Sequence, residues 1–161
     1  VGGAGFLLND EMDDFSAKAG SPNLYGLIGS KANEIQPNKR MLSSMTPTIV
    51  EENGQLKMVV GTPGGSTIIT SVFQVVLNTL EMGMNMQEAV EYPRFHHQWM
   101  PDKITAEPKR FSDEQLNRLQ IKGYTFTPVS AIGLVEGILV LPSGKLQGGA
   151  DSRGDDTVSA Y

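Results

Sequence analysis

The hexapeptide Gly61-Thr62-Pro63-Gly64-Gly65-Ser66 constrains this chain more than any other stretch, because of what flanks it. Leu56-Lys57-Met58-Val59-Val60 before it reads as a strand. Ser66 to Met82 after it reads as a helix, with Ile69, Val72, Phe73, Val76 and Leu80 along one face. A double glycine at the mouth of a helix leaves backbone N–H groups bare and pointing outward, where the helix dipole adds positive potential. Such a turn holds a phosphate, a carboxylate, or the oxyanion that forms when a carbonyl is attacked. A plain strand-to-helix connection carries the same sequence, so the motif alone leaves both uses open.

The chain has 161 residues, 39% hydrophobic and 19% charged, which is one domain's worth of globular sequence with enough material for a core. No apolar run is long enough to span a bilayer. A net charge of −5 and scattered basic residues argue against a nucleic-acid partner. The absence of cysteine excludes disulfides, thiolate zinc sites and a cysteine nucleophile within these residues. No signal segment is visible, and an opening of Val1-Gly2-Gly3 without methionine reads as a processed product or an excised piece.

Along the chain, Phe6-Leu7-Leu8-Asn9 reads as a short strand. Asp10, Glu11, Asp13 and Asp14 then crowd together, either as a solvated acidic turn or as a site for a metal or an ammonium group. The alternate ligand spacing and central glycine of a calcium loop are missing there. Ala17 to Asn38 is broken by Pro22-Asn23, Gly26, Gly29-Ser30 and Pro37-Asn38, and reads as a long loop anchored by Tyr25, Leu27 and Ile28. The paired hydroxyls of Ser43 and Ser44 fit a carboxylate or the polar positions of a strand. Thr48–Glu51 and Gln55–Val60 form a hairpin across Asn53-Gly54.

Gly83 suits a helix C-cap, and Asn85 with Glu88 makes a capping box for a short second helix that Pro93 stops. His96 and His97 invite a metal, yet neighbours in extended chain face opposite sides, which favours packing or hydrogen bonding. Lys103–Glu107 is strand-like, Ser112 and Gln115 cap a third helix ending at Gly123, and Tyr124–Val129 alternates as a strand. Leu134–Leu141 and Lys145–Gly148 pair across Pro142-Ser143-Gly144, and Ala150 to Asp156 is a polar, looped tail. Strands and helices interleave without regular βαβ spacing, so the class is α+β, with layered antiparallel sheets flanked by helices.

Four stretches taken together carry a resemblance: Leu7–Phe15, Pro37–Ile49, Gly61–Ser66 and Pro93–Gln98. In this order they resemble the small subunit of the gamma-glutamyltranspeptidase (glutathione hydrolase) family, within the N-terminal-nucleophile (Ntn) hydrolases. The resemblance runs on to Asp151-Ser152-Arg153 and Tyr161, and so covers nearly the whole chain. It implies an αββα sandwich built from two chains cut from one zymogen by autoproteolytic processing. Residues 1–161 are then a single-domain part of the small, C-terminal subunit, partnered by the large subunit of the same precursor.

The implied activity is that of an acyltransferase and hydrolase of glutathione metabolism. A threonine hydroxyl attacks the γ-carbonyl of glutathione or another gamma-glutamyl compound, and water or an amino acid or dipeptide acceptor takes the acyl group. By the same resemblance Gly64 and Gly65 form the oxyanion hole, Glu11 and Asp14 bind the substrate's α-ammonium, and Ser43 and Ser44 bind its α-carboxylate. No cofactor and no metal are expected, and a periplasmic or extracellular location is implied.

Val1 corresponds to a point about thirty residues after the family's catalytic threonine. The isolated chain is therefore expected to be inactive, and to self-associate through exposed strand edges and apolar surface. Other readings are a related Ntn acylase, such as a cephalosporin acylase or a poly-gamma-glutamate depolymerase, and a non-catalytic anion-binding module. Carboxylates at Glu11 and Asp14 favour a glutamyl over a glutaryl group, since only the former carries an ammonium.

Overall fold

The computed structural model describes residues 3, 5, 11–23, 25–42 and 46–160. The expected strand Phe6–Asn9 lies outside them. The chain divides into two compact units, Val1–Ser44 and Met45–Tyr161.

In the first unit, the acidic cluster forms a 3₁₀ turn over Glu11–Asp14, and a second such turn spans Lys31–Asn33. The two are tied by Ser16 N–H donating to Asn33 O (2.9 Å) and Asn33 Nδ2 donating to Asp14 O (2.7 Å). Phe15 is buried beside them. The long loop between is held by its own backbone: Gly20 N–H donates to Gly29 O, and Asn23 Oδ1 accepts from the amides of Tyr25 and Leu27. The expected anchors Tyr25, Leu27 and Ile28 are exposed instead. An Asx turn satisfies the backbone locally, so burial of these side chains is not what shapes the loop.

Among its described residues, the second unit holds seven strands and three α-helices. They run β1 (Thr48–Glu52), β2 (Gln55–Gly61), α1 (Ile68–Leu80), α2 (Met86–Glu91), β3 (Phe95–His96), β4 (Ile104–Ala106), α3 (Asp113–Ile121), β5 (Phe126–Pro128), β6 (Glu136–Val140) and β7 (Leu146–Gly149). Strands β1, β2, β6 and β7 form an antiparallel sheet in that order. A smaller sheet runs β3-β4-β5, in which β4 and β5 are parallel. Asn53 and Gly54 both adopt left-handed φ (53° and 75°), the primed turn that matches the twist of the β1–β2 hairpin. The mixed helix-and-sheet content matches the expected α+β class.

Alternation along the strands decides which face is covered. Met58, Val60, Leu139 and Val135 pack with Val72, Val75, Met86, Ala89 and Val90 from α1 and α2 into one core. Each such burial is worth about 1.5–3 kcal/mol for the larger side chains. Capping boxes fix both shorter helices as expected, through Asn85 with Glu88 and Ser112 with Gln115.

Helix α1 departs from the periodicity reading. Its covered face carries Ile68, Ser71, Val72, Val75 and Thr79, whereas Ile69 and Phe73 are 68% and 59% exposed and Leu80 is also open. The helix thus has two apolar faces, and only one meets the sheet.

Candidate functional site

The glycine turn sits where β2 hands over to α1, and its backbone explains its composition. Gly64 has φ 140° and ψ 17°, a conformation essentially closed to side chains, and Gly65 has φ 56°. A Cβ on Gly64 would meet Thr67 Oγ1 at 2.7 Å. From Gly65 to Thr67 the chain forms one 3₁₀ turn, which runs straight into α1. The amides of Gly64 and Gly65 donate to no described residue, so two N–H groups stand unused at the positive end of a thirteen-residue helix. This is the physical requirement for an oxyanion site.

Three carbonyl and amide groups around the turn are pinned. Thr62 is buried, and its hydroxyl donates to Pro63 O (2.7 Å) while accepting from the Leu134 amide (2.8 Å). The Gly64 carbonyl accepts from Thr67 N–H (3.1 Å) and from the Thr67 hydroxyl (2.8 Å).

Glu11 and Asp14 lie on the first 3₁₀ turn of the first unit. Ser43 and Ser44 are outside the described residues. The histidines go separate ways: His96 is buried, with Nδ1 against Thr70 Oγ1 (2.9 Å) and Nε2 against Gln98 Oε1 (2.8 Å). His97 pairs at the surface with Asp102 (3.0 Å). Hydrogen bonding is what occupies both rings.

One group of interacting charges is not legible as a unit in the sequence. Buried Arg94, Glu107 and Asp151, with half-buried Arg153, form a network of two positive and two negative side chains. Arg94 bonds Asp151 Oδ2 and the carbonyls of Val90 and Ile132. Arg153 grips Glu107 with Nε (2.6 Å) and Nη2, and Asp151 with Nη1 (2.8 Å). The carboxylates also accept from backbone: Glu107 from Ile132 (2.6 Å) and Arg94 (2.7 Å), Asp151 from Val135 (2.9 Å). Burial pushes the Asp151 carboxyl up, but the Val135 amide and the two guanidiniums outweigh it and hold it below its ordinary value. Burial lowers Arg94, against the pull of Asp151. The tail's alternating charges look solvated in sequence, because the partners Arg94 and Glu107 are more than forty residues away.

The sequence profile of the gamma-glutamyltranspeptidase family matches residues 1–161. The glutathione hydrolase proenzyme of Escherichia coli is 50% identical over 160 residues, covering 99% of this chain and 27% of that protein. This chain therefore spans about a quarter of the length of that relative. The crystal structure of the Helicobacter pylori gamma-glutamyltranspeptidase T380A mutant superposes with a TM-score of 0.88 at 50% identity, covering 96% of this chain and 84% of that one. Cephalosporin acylase from Bacillus halodurans is more distant, with a TM-score of 0.72 and 28% identity over 80% of this chain and 24% of its own. With a profile match over its full length, this chain belongs to the gamma-glutamyltranspeptidase family.

Proposed function

We propose that these residues form the oxyanion-stabilising and substrate-recognising part of a gamma-glutamyltransferase and glutathione hydrolase, within the small subunit of a two-chain Ntn enzyme. The observation that carries this reading is the Gly64–Gly65 turn, with two undonated amides at the start of α1. When a threonine hydroxyl adds to the γ-carbonyl of a gamma-glutamyl compound, the carbonyl π-bond opens and its oxygen gains a full negative charge. Two preoriented N–H donors stabilise that charge in the transition state more than the neutral carbonyl before it. Collapse re-forms the carbonyl and expels the amine, which takes up the proton lost by the threonine hydroxyl, leaving an acyl-threonine that water or an acceptor amine then cleaves.

Under the same reading, Glu11 and Asp14 bind the α-ammonium, and Ser43 and Ser44 bind the α-carboxylate. A free ammonium and a free carboxylate on one substrate specify a gamma-linked glutamyl group, because an α-linked residue within a peptide lacks both. The markedly lower identity to a cephalosporin acylase than to a glutathione hydrolase favours a glutamyl over a glutaryl substrate.

The partner in this reading is the large subunit of the same precursor. Its docking surface is supported by the face of the four-stranded sheet opposite the core. There Ile49, Val59 and Ile138 stand side by side across three strands, each 40% or more exposed, with Leu146 beside them. A layered sandwich covers such a face with a second sheet.

The test is Gly64→Ala in the full-length protein, assayed by release of nitroaniline from a gamma-glutamyl nitroanilide. The Cβ forces the turn open, and kcat falls about 100-fold or more, as for loss of an oxyanion donor. Unchanged kcat in a folded Gly64→Ala protein rejects the assignment.

A further inference from the structure

We propose that Thr62 and Thr67 are positioning residues that aim the two amides of the glycine turn, an inference that rests on the oxyanion role given to Gly64 and Gly65. Each peptide unit is planar, so fixing its carbonyl fixes the direction of the N–H on the other side of the bond. The Gly64 amide shares its plane with the Pro63 carbonyl, and that carbonyl accepts from the Thr62 hydroxyl at 2.7 Å. The Gly65 amide shares its plane with the Gly64 carbonyl, and that carbonyl accepts from the Thr67 hydroxyl at 2.8 Å. One threonine hydroxyl therefore sets each donor.

A hydroxyl has one proton and two lone pairs, and Thr62 uses both functions. While donating to Pro63 it accepts the Leu134 amide at 2.8 Å, so the turn is tied to the segment 132–135. That segment is itself immobilised by the buried charges: Glu107 takes the Ile132 amide, Arg94 the Ile132 carbonyl and Asp151 the Val135 amide. The close approach is possible because residue 133 is glycine, at φ 67°, where a Cβ would come 3.1 Å from Thr62 Oγ1 and 2.8 Å from Ser71 Oγ. Gly64 also faces Gly133 closely, since its Cβ would sit 3.5 Å from the Gly133 Cα. The direction of the Gly64 amide is thus referenced through Thr62 to a segment held by the buried charges. Thr67 has a second hold on the Gly64 carbonyl through its own amide, so its hydroxyl matters less than that of Thr62.

The experiment compares Thr62→Val, Thr62→Ser, Thr67→Val and Thr67→Ser in the full-length protein. Valine keeps the shape and removes the hydroxyl, whereas serine keeps the hydroxyl. Steady-state kinetics on the gamma-glutamyl nitroanilide are read together with hydrogen–deuterium exchange of the segment 131–136. For Thr62→Val, kcat falls about 10- to 100-fold at nearly unchanged KM, as expected for misaimed rather than missing donors. Exchange at the Leu134 amide accelerates in the same variant, and Thr62→Ser restores both. Thr67→Val lowers kcat by less than Thr62→Val, and Thr67→Ser restores it.

Wild-type kcat in both valine variants overturns the proposal, as does a loss in Thr62→Val that serine fails to restore. Wild-type protein that releases no nitroaniline refutes the proposed function instead. The exchange measurement then still decides the tie, since unchanged Leu134 exchange in Thr62→Val shows that the hydroxyl does not hold the turn.

Discussion

At the scale of single residues, the molecule concentrates its constraints on a few side chains whose chemistry has no substitute. Asp151 is fully buried and accepts from Arg94, Arg153 and the Val135 amide, so Asp151→Asn leaves two guanidiniums under-compensated. Removing one member of a buried ion network costs about 3–5 kcal/mol, and chemical denaturation should show a loss of that size. The same residue sets an acid limit. Its folded-state pKa lies below the ordinary 3.8, so its stabilisation is present above that value and is lost as pH falls through the lower, folded one. Glu136 acts with the opposite sign: burial, with Asp156 nearby, raises its pKa above 4.5, so stability gains slightly as pH falls toward that value. Denaturation profiles between pH 6 and 2 should therefore decline steeply only at the acid end, and Asp151→Asn should flatten that decline. Under the ammonium-binding role proposed for Glu11 and Asp14, Glu11→Gln should leave gamma-glutamyl turnover within a few-fold of wild type, since an amide oxygen still accepts from an ammonium, whereas Asp14→Ala should raise KM.

At the scale of elements, what was readable in sequence is what local chemistry decides. The capping boxes at Asn85 and Ser112, the Asn53-Gly54 hairpin and the Gly64-Gly65 turn each depend on residues within a few positions of one another, and each appears where the sequence places it. Asn85→Ala should accordingly lower stability by about 1 kcal/mol in thermal or chemical unfolding, by exposing the Glu88 amide. Long-range pairings were not readable. The parallel β4–β5 pair joins Thr105 to Thr127, and the charge network joins Arg94 to Asp151, with no local signature at either end. Periodicity misjudged α1 for a physical reason: a helix with apolar residues on two faces gives one broad hydrophobic arc, which does not say which side meets the sheet. Tyr25, Leu27 and Ile28 failed as anchors because an Asx turn at Asn23 satisfies the loop without burying them.

At the scale of the whole molecule, the bare faces carry the next expectation. The row Ile49, Val59 and Ile138 on the sheet, and Ile69 and Phe73 on α1, are apolar surfaces of the kind that partners cover. The 161-residue chain alone should self-associate in sedimentation at high concentration, and Val59→Lys with Ile138→Lys should shift it toward monomer. A wild-type chain that stays monomeric would contradict the expected self-association. The proposed function joins a preoriented amide pair to recognition of a gamma-glutamyl group. The most direct test compares kcat/KM of the full-length protein on gamma-glutamyl and glutaryl nitroanilides of otherwise identical structure. Preference for the gamma-glutamyl substrate is the predicted result, since the ammonium that Glu11 and Asp14 are proposed to bind is missing from the glutaryl analogue. Equal turnover of the two, or preference for the glutaryl substrate, would contradict gamma-glutamyl recognition by this site.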